Sequence, residues 1–277
     1  MTELNPIERL SRDLKKSAGL LSPTEARYLV DSYYAIQEYR KAAGNQVRAL
    51  SESEEPCEVI RWLNTQMETL EGQIKRALDA WTDNQSVGLW AKSITGIGPV
   101  ISAGLLAYID IRKAPTVGHI WRFAGLDPTQ SWGKGQKRPW NAGLKTLCWK
   151  IGESFVKVSG LESDVYGKVY LARKEQEVSR NDSGAFADQA VTALQKKIGK
   201  STEAYKAYSD NRLPPAHLHS RAKRYAVKLF LSAYHEAAYF DHYGVLPPKP
   251  YVIEHMGHAH YIAAPNKHLI EGWAEAL

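Results

Sequence analysis

Cysteine is nearly absent from this chain of 277 residues: Cys57 and Cys148 stand far apart and form no CxxC pair. That excludes a zinc ribbon and a disulfide framework, and it makes a reducing cytoplasm the expected compartment. Long apolar runs are also missing. Nothing approaches the ~18 residues that span a bilayer, so no membrane partner is expected. The opening MTELNPIERLSRDLKK lacks the apolar core of a secretory signal. Alternating strand patterns are missing too. What remains, 44% hydrophobic and 24% charged residues, is the balance of a globular chain with a full core, here an all-α one.

Helix signals are clear. Ser22-Pro23-Thr24-Glu25 is a capping box with proline at the first helical position, and it predicts a helix running to about Arg48. A second helix is expected from about Pro56 to Trp81. Its apolar residues Val59, Leu63, Met67, Leu70, Ile74, Leu78 and Trp81 recur every three or four positions, a coiled-coil-like seam. The two helices read as an antiparallel pair within a first region, 1–88, and the seam is also a candidate homodimer or higher-oligomer contact. A second region, 89–247, is expected to hold further helices. They fall near 89–95, 100–109, 117–123, 143–158, 163–176 and 217–240, with a polar insertion near 178–216 that has a helix around 185–198. An irregular tail, 248–277, follows. Its His255, His258 and His260 have no common metal spacing and read as a surface tail, so no metal or cofactor is evident.

The chemistry concentrates between residues 94 and 150. Gly96-Ile97-Gly98-Pro99 falls between two helical stretches, as in a helix-hairpin-helix. Glycine permits positive φ in such a turn and lets a phosphate approach the backbone. The N–H groups opening the next helix, from Val100, would then face that phosphate. No lysine follows the hairpin until Lys113, which sets aside the hairpin glycosylases that need one there.

Charge sharpens the picture. The chain carries a net +6, whereas residues 112–150 alone hold eight Lys and Arg against one acid, a local +7. Such clustering is a footprint for phosphates. Gly96, Gly98 and Val100 with Lys134, Lys137, Arg138, Lys145 and Lys150 are therefore the candidate DNA contacts. Trp132 and Trp140 flank the basic loop and are candidates for base stacking. Ser131 places a hydroxyl among these cations. A serine needs a base or metal to act as a nucleophile, and cations beside it can stabilise a transferring phosphoryl group.

The order Ile94-Thr95-Gly96-Ile97-Gly98-Pro99, Ala103-Gly104-Leu105-Leu106-Ala107, Phe123-Ala124-Gly125-Leu126-Asp127-Pro128, Gln130-Ser131 and Asn141-Ala142-Gly143 resembles the C-terminal domain of the IS-one-ten (IS-one-sixteen, IS-nine-oh-two) insertion-sequence transposase family. The resemblance runs from about Glu68 to Gly160 and resumes weakly over 217–247. It implies a DNA-bound protein of bacterial or phage origin, with Ser131 matching the family's attacking serine. It also implies structured RNA as a further partner. In that family an N-terminal acidic RNase-H-like domain binds Mg²⁺; residues 1–88 have no strand pattern to build one. Mg²⁺ is thus expected only if an acidic nuclease subunit is supplied in trans. Trp132 stands where the family has a glycine after the serine, and Lys145 stands nearest the family's following arginine. Two functions stay open: a transposase or recombinase with serine-dependent strand transfer, and a non-catalytic helical nucleic-acid-binding or assembly protein. A purely structural helical dimer is a third reading.

Overall fold

The Ser22 box closes as its sequence predicts. The Glu25 N–H donates to Ser22 Oγ at 3.3 Å, and the Ser22 N–H donates to the Glu25 carboxylate at 2.8 Å. In the computed structural model, which describes residues 12–248 and 262–276, this cap opens the second of eleven α-helices; no strand occurs among the described residues. The helices are α1 Arg12–Ala18, α2 Pro23–Glu52, α3 Glu58–Asp83, α4 Ser86–Ser93, α5 Pro99–Tyr108, α6 Val117–Phe123, α7 Ala142–Val158, α8 Tyr166–Asp182, α9 Ala187–Leu194, α10 Glu203–Ser209 and α11 Pro215–Tyr243.

Helices α2 and α3 run antiparallel. The Trp81 indole N–H donates to the Leu21 carbonyl at 2.7 Å, while Gln37 and Arg40 reach Glu71 at 3.0 and 2.6 Å. The seam divides along its length. Ile74, Leu78 and Trp81 are buried with Ala26, Val30 and two residues of α5, Val100 and Ala103. At the far end Val59 is 76% exposed, with Trp62 and Leu63 also exposed. The helical pair is therefore joined to α5 by a shared apolar cluster. Burial of a side chain such as Leu78 contributes about 2 kcal/mol.

The larger core surrounds α11, whose Ala222, Ala226, Phe230, Ala233 and Tyr234 are all buried. Phe230 meets Phe155 of α7, Tyr166 of α8 and Trp90 of α4 at ring distances of 5.3–6.3 Å. The segment 262–276 is irregular in path but not loose. Trp273 is fully buried against Trp90, whose indole N–H donates to the Pro265 carbonyl at 2.8 Å. His255, His258 and His260 lie outside the described residues.

The expected insertion is more helical than its polarity suggested. Helix α8 continues through Asp182, and α9 and α10 follow. They are anchored by Phe186, Leu213 and Leu218. Two bonds between Asn181 and the Leu213 backbone, at 2.8 and 3.1 Å, add to this. The Glu177 carboxylate, 1% exposed, is held by Arg173 and Arg221 at 2.5 and 2.7 Å. Burial raises its pKa, but these arginines outweigh it and hold it below the usual range.

His217, His219 and His235 all have pKa values lowered, first by burial. His235 donates Nε2–H to the Ala114 carbonyl at 2.7 Å; His119 adds a smaller lowering and Glu236 a smaller raising effect. A histidine kept neutral when folded takes up a proton more readily once unfolded. Its contribution is present above about pH 6.5 and is lost as pH falls below that value. The thermal midpoint should stay level from pH 8 to 7 and fall between pH 6.5 and 5. His235→Gln, which keeps a donor without titrating, should flatten part of that slope. A midpoint unchanged down to pH 5 would contradict the assignment.

Candidate nucleic-acid interface

Helices α4 and α5 meet at the turn 94–98. Ile94 and Ile97 are buried beneath it, and the Ile97 N–H donates to the Ile94 carbonyl at 2.9 Å. Only one of its two glycines needs to be glycine for conformation. Gly96 has φ +94°, and a Cβ there would lie 3.2–3.4 Å from Val158, Phe155 and Ser154 of α7. Gly98 is extended (φ −94°, ψ 178°), and a Cβ there meets nothing within 4 Å. The space in front of α5 is open there. Pro99 occupies the first helical turn, and Ser102 N–H donates to the Gly98 carbonyl at 3.0 Å.

The turn is fixed from behind: the Ser154 hydroxyl donates to the Gly96 carbonyl at 2.5 Å. In front lies a cleft of about 340 Å³ between the turn, α2 and α7, with Lys41, Lys75, Lys150 and Lys157 on its walls. Lys150 is not an uncompensated cation. Its ammonium sits 3.2 Å from Glu38 of α2 and 4.8 Å from the centre of the Tyr34 ring. The Val100 side chain is buried in the α2–α3 cluster, which leaves only its backbone toward the turn.

Ser131, Lys134, Lys137 and Arg138 are all exposed on the loop between α6 and α7. Gly125 starts that loop at φ +65°, and the Asn141 side chain caps α7 by accepting from the Leu144 N–H at 2.9 Å. Between them the loop folds on its tryptophans. The Trp132 indole donates to the Gln136 carbonyl at 2.7 Å and packs edge-on to Trp140 at 6.3 Å. Arg138 lies over Trp132 at 5.3 Å, and Lys145 lies over Trp140 at 3.9 Å. The aromatic pair thus presents two cations at defined positions.

The one carboxylate of the loop, Asp127, is engaged by the Thr129 N–H and hydroxyl at 2.9 and 2.7 Å, bonds that lower its pKa. Among the described residues no three His, Cys, Asp or Glu side chains converge on a metal position. The donor set around Ser131 does not fit Mg²⁺, and the loop offers the serine no base in contact.

Sequence reasoning missed the contribution of α11. Its stretch SRAKRYAVK brings Lys223 and Arg224 alongside α7 and Lys228 over Trp121 of α6. Lys145 has its pKa lowered by burial first, then by Arg224 and Arg138. The Arg224 guanidinium is lowered by burial and by Arg221, and Lys228, over Trp121 at 4.2 Å, by burial. The signal was available in the basic face of a helix that its apolar face alone had identified.

With this geometry in place, comparison with known families bears on a defined part of the fold. Residues 90–146 match the Transposase IS116/IS110/IS902 family. The matched segment begins in α4, contains the glycine turn, α5, α6 and the Ser131 loop, and ends in the first turns of α7. It is narrower than the resemblance read over Glu68–Gly160 and covers 57 of 277 residues. No curated protein and no solved structure matches the chain.

The two glycines of this turn should separate in a stability measurement. Gly96→Ala forces a side chain into the left-handed region against α7 and should cost about 2 kcal/mol. Gly98→Ala should be neutral or slightly stabilising. Equal losses in urea denaturation would show that the turn does not have this geometry.

Proposed function

We propose that this transposase-like protein binds DNA through the 94–101 turn and the 131–145 loop. Ser131 is the residue that would attack a phosphodiester if strand transfer occurs. The observation carrying the reading is the overlap of the family match with the basic segment 112–150, which holds one acid against eight Lys and Arg. Gly96 and Gly98 bring backbone to the phosphates, and the amides opening α5 face them. Lys134, Lys137, Arg138 and Lys145 neutralise charge along the strand.

Strand transfer through Ser131 would form an Oγ–phosphorus bond as the phosphorus–oxygen bond to the leaving strand breaks. The seryl proton must pass to a base, and the leaving oxygen must gain one. The loop provides cations for the developing charge but no base in contact with Oγ. The reaction therefore calls for a partner subunit that brings acidic residues. Association of two copies through the seam, a further part of this proposal, would use Val59, Trp62 and Leu63, since the rest of the seam faces α2 and α5. Structured RNA is proposed as a second polyanion for the same cations. The lack of a base beside Ser131 favours the other reading specifically: a non-catalytic assembly protein that retains the DNA surface.

Fluorescence anisotropy with labelled duplex across a salt series tests binding. Lys134, Lys137 and Arg138 changed together to Ala should lower the slope of log K against log salt by about 3. Ser131→Ala should leave binding intact and abolish any covalent DNA–protein adduct. A flat salt response would sink the DNA reading. An adduct that persists in Ser131→Ala would sink the serine.

A further inference from the structure

The Gly125-Leu126 turn, α7 and α11 enclose a pocket of about 280 Å³, of whose lining the DNA surface proposed above uses Lys145 alone. Leu126, Cys148 and Val227 form its uncharged floor. The Cys148 thiol is fully buried, and burial pushes its pKa up to about 12, so it stays neutral. Lys145, Lys223 and Arg224 stand at the walls, with no carboxylate among the lining residues. Lys223 is compensated by Glu153 just outside. Lys145 and Arg224 make no ion pair among the described residues. Trp149, 54% exposed, completes the rim.

Two uncompensated cations on one recess repel each other and lose hydration. Burial lowers both pKa values first; Arg224 and Arg138 lower that of Lys145 further, and Arg221 lowers that of Arg224 against a smaller raising effect of Glu177. An anion between them removes both penalties. The recess also has an apolar floor and an exposed indole, which a bare phosphate site would not need. Aromatic rims of this kind stack bases, and a base in a duplex must first break its pair and unstack to enter a recess, a cost that an unpaired base does not carry. The volume lies at the small end of ligand pockets, which suits one nucleotide.

We propose that this pocket takes one unpaired nucleotide of a DNA strand, its phosphate between Lys145 and Arg224 and its base against Trp149. The assignment rests on the DNA-binding reading above and adds to it a preference for unpaired over fully paired DNA. It also places α11, outside the segment matched to the transposase family, in contact with nucleic acid.

The test uses the full chain, a labelled oligothymidylate and a labelled paired duplex at one salt concentration. Arg224→Gln and Trp149→Ala, each checked for unchanged thermal unfolding, should weaken oligothymidylate binding about tenfold, as expected for loss of one stacked base or one phosphate contact. Duplex affinity should change less than about twofold. Trp149→Phe should recover most of the loss. Equal losses on both DNAs, or no loss on the oligothymidylate, would overturn the pocket. So would displacement of the oligothymidylate by free thymidine monophosphate at comparable concentration, which would mark a free-nucleotide site. Wild-type protein that binds duplex but not oligothymidylate would end this inference alone. Protein that binds neither would end the DNA reading with it.

Discussion

The contact between the glycine turn and α7 is the constraint on which the candidate interface depends. Ser154 holds the Gly96 carbonyl, and only glycine fits at φ +94° against Phe155 and Val158. The other end of the same helix, capped by Asn141, closes the basic loop. Helix α7 therefore sets the distance between the two halves. From Gly143 to Ser154 it rises about 16 Å, roughly five base-pair steps of one DNA strand. Further close contacts keep α7 in register with α5. A Cβ at Gly104 would strike Leu147, and one at Gly143 would strike the Tyr108 hydroxyl, which itself donates to Asp31 of α2 at 2.5 Å.

Around this frame the charges fall into two kinds. Arg173 and Arg221 surround Glu177, Lys92 meets Asp79 and Asp83, and Arg40 meets Glu71. These cations hold the protein together. Lys134, Lys137, Arg138, Lys145 and Arg224 have no such partners among the described residues, and two of them, Arg138 and Lys145, rest on aromatic faces instead. A ring fixes a cation's position without neutralising it, which suits a surface that awaits an anion. Lys150 belongs to the first kind, although its sequence neighbours suggested the second. Glu38 comes from a helix more than a hundred residues earlier, and nothing in the local sequence reveals the pairing.

Local signals were read well from sequence because their causes are local. The Ser22 box and the Val117–Phe123 helix appear where they were expected, and α5, Pro99–Tyr108, lies one residue from the expected 100–109. The family resemblance was carried by short motifs, and the match over 90–146 bears it out. Readings that depended on distant partners fared differently. Gly98 looked as conformationally constrained as Gly96, but only Gly96 faces α7. The described part of the tail is irregular as expected, but Trp273 is buried against Trp90, a contact between residues far apart in sequence. The cations of α11 join Lys145 only through the packing of two apolar faces.

The central claim is that the turn and the basic loop form one DNA surface set by α7. Hydrogen–deuterium exchange of the full chain with and without duplex DNA tests it most directly. Slowed exchange at the amides of 98–101 and 131–138 together, with the exposed end of α2 and α3 near Val59 unchanged, is the predicted result. Protection at only one of the two segments, or confined to the far end of the helical pair, would contradict it.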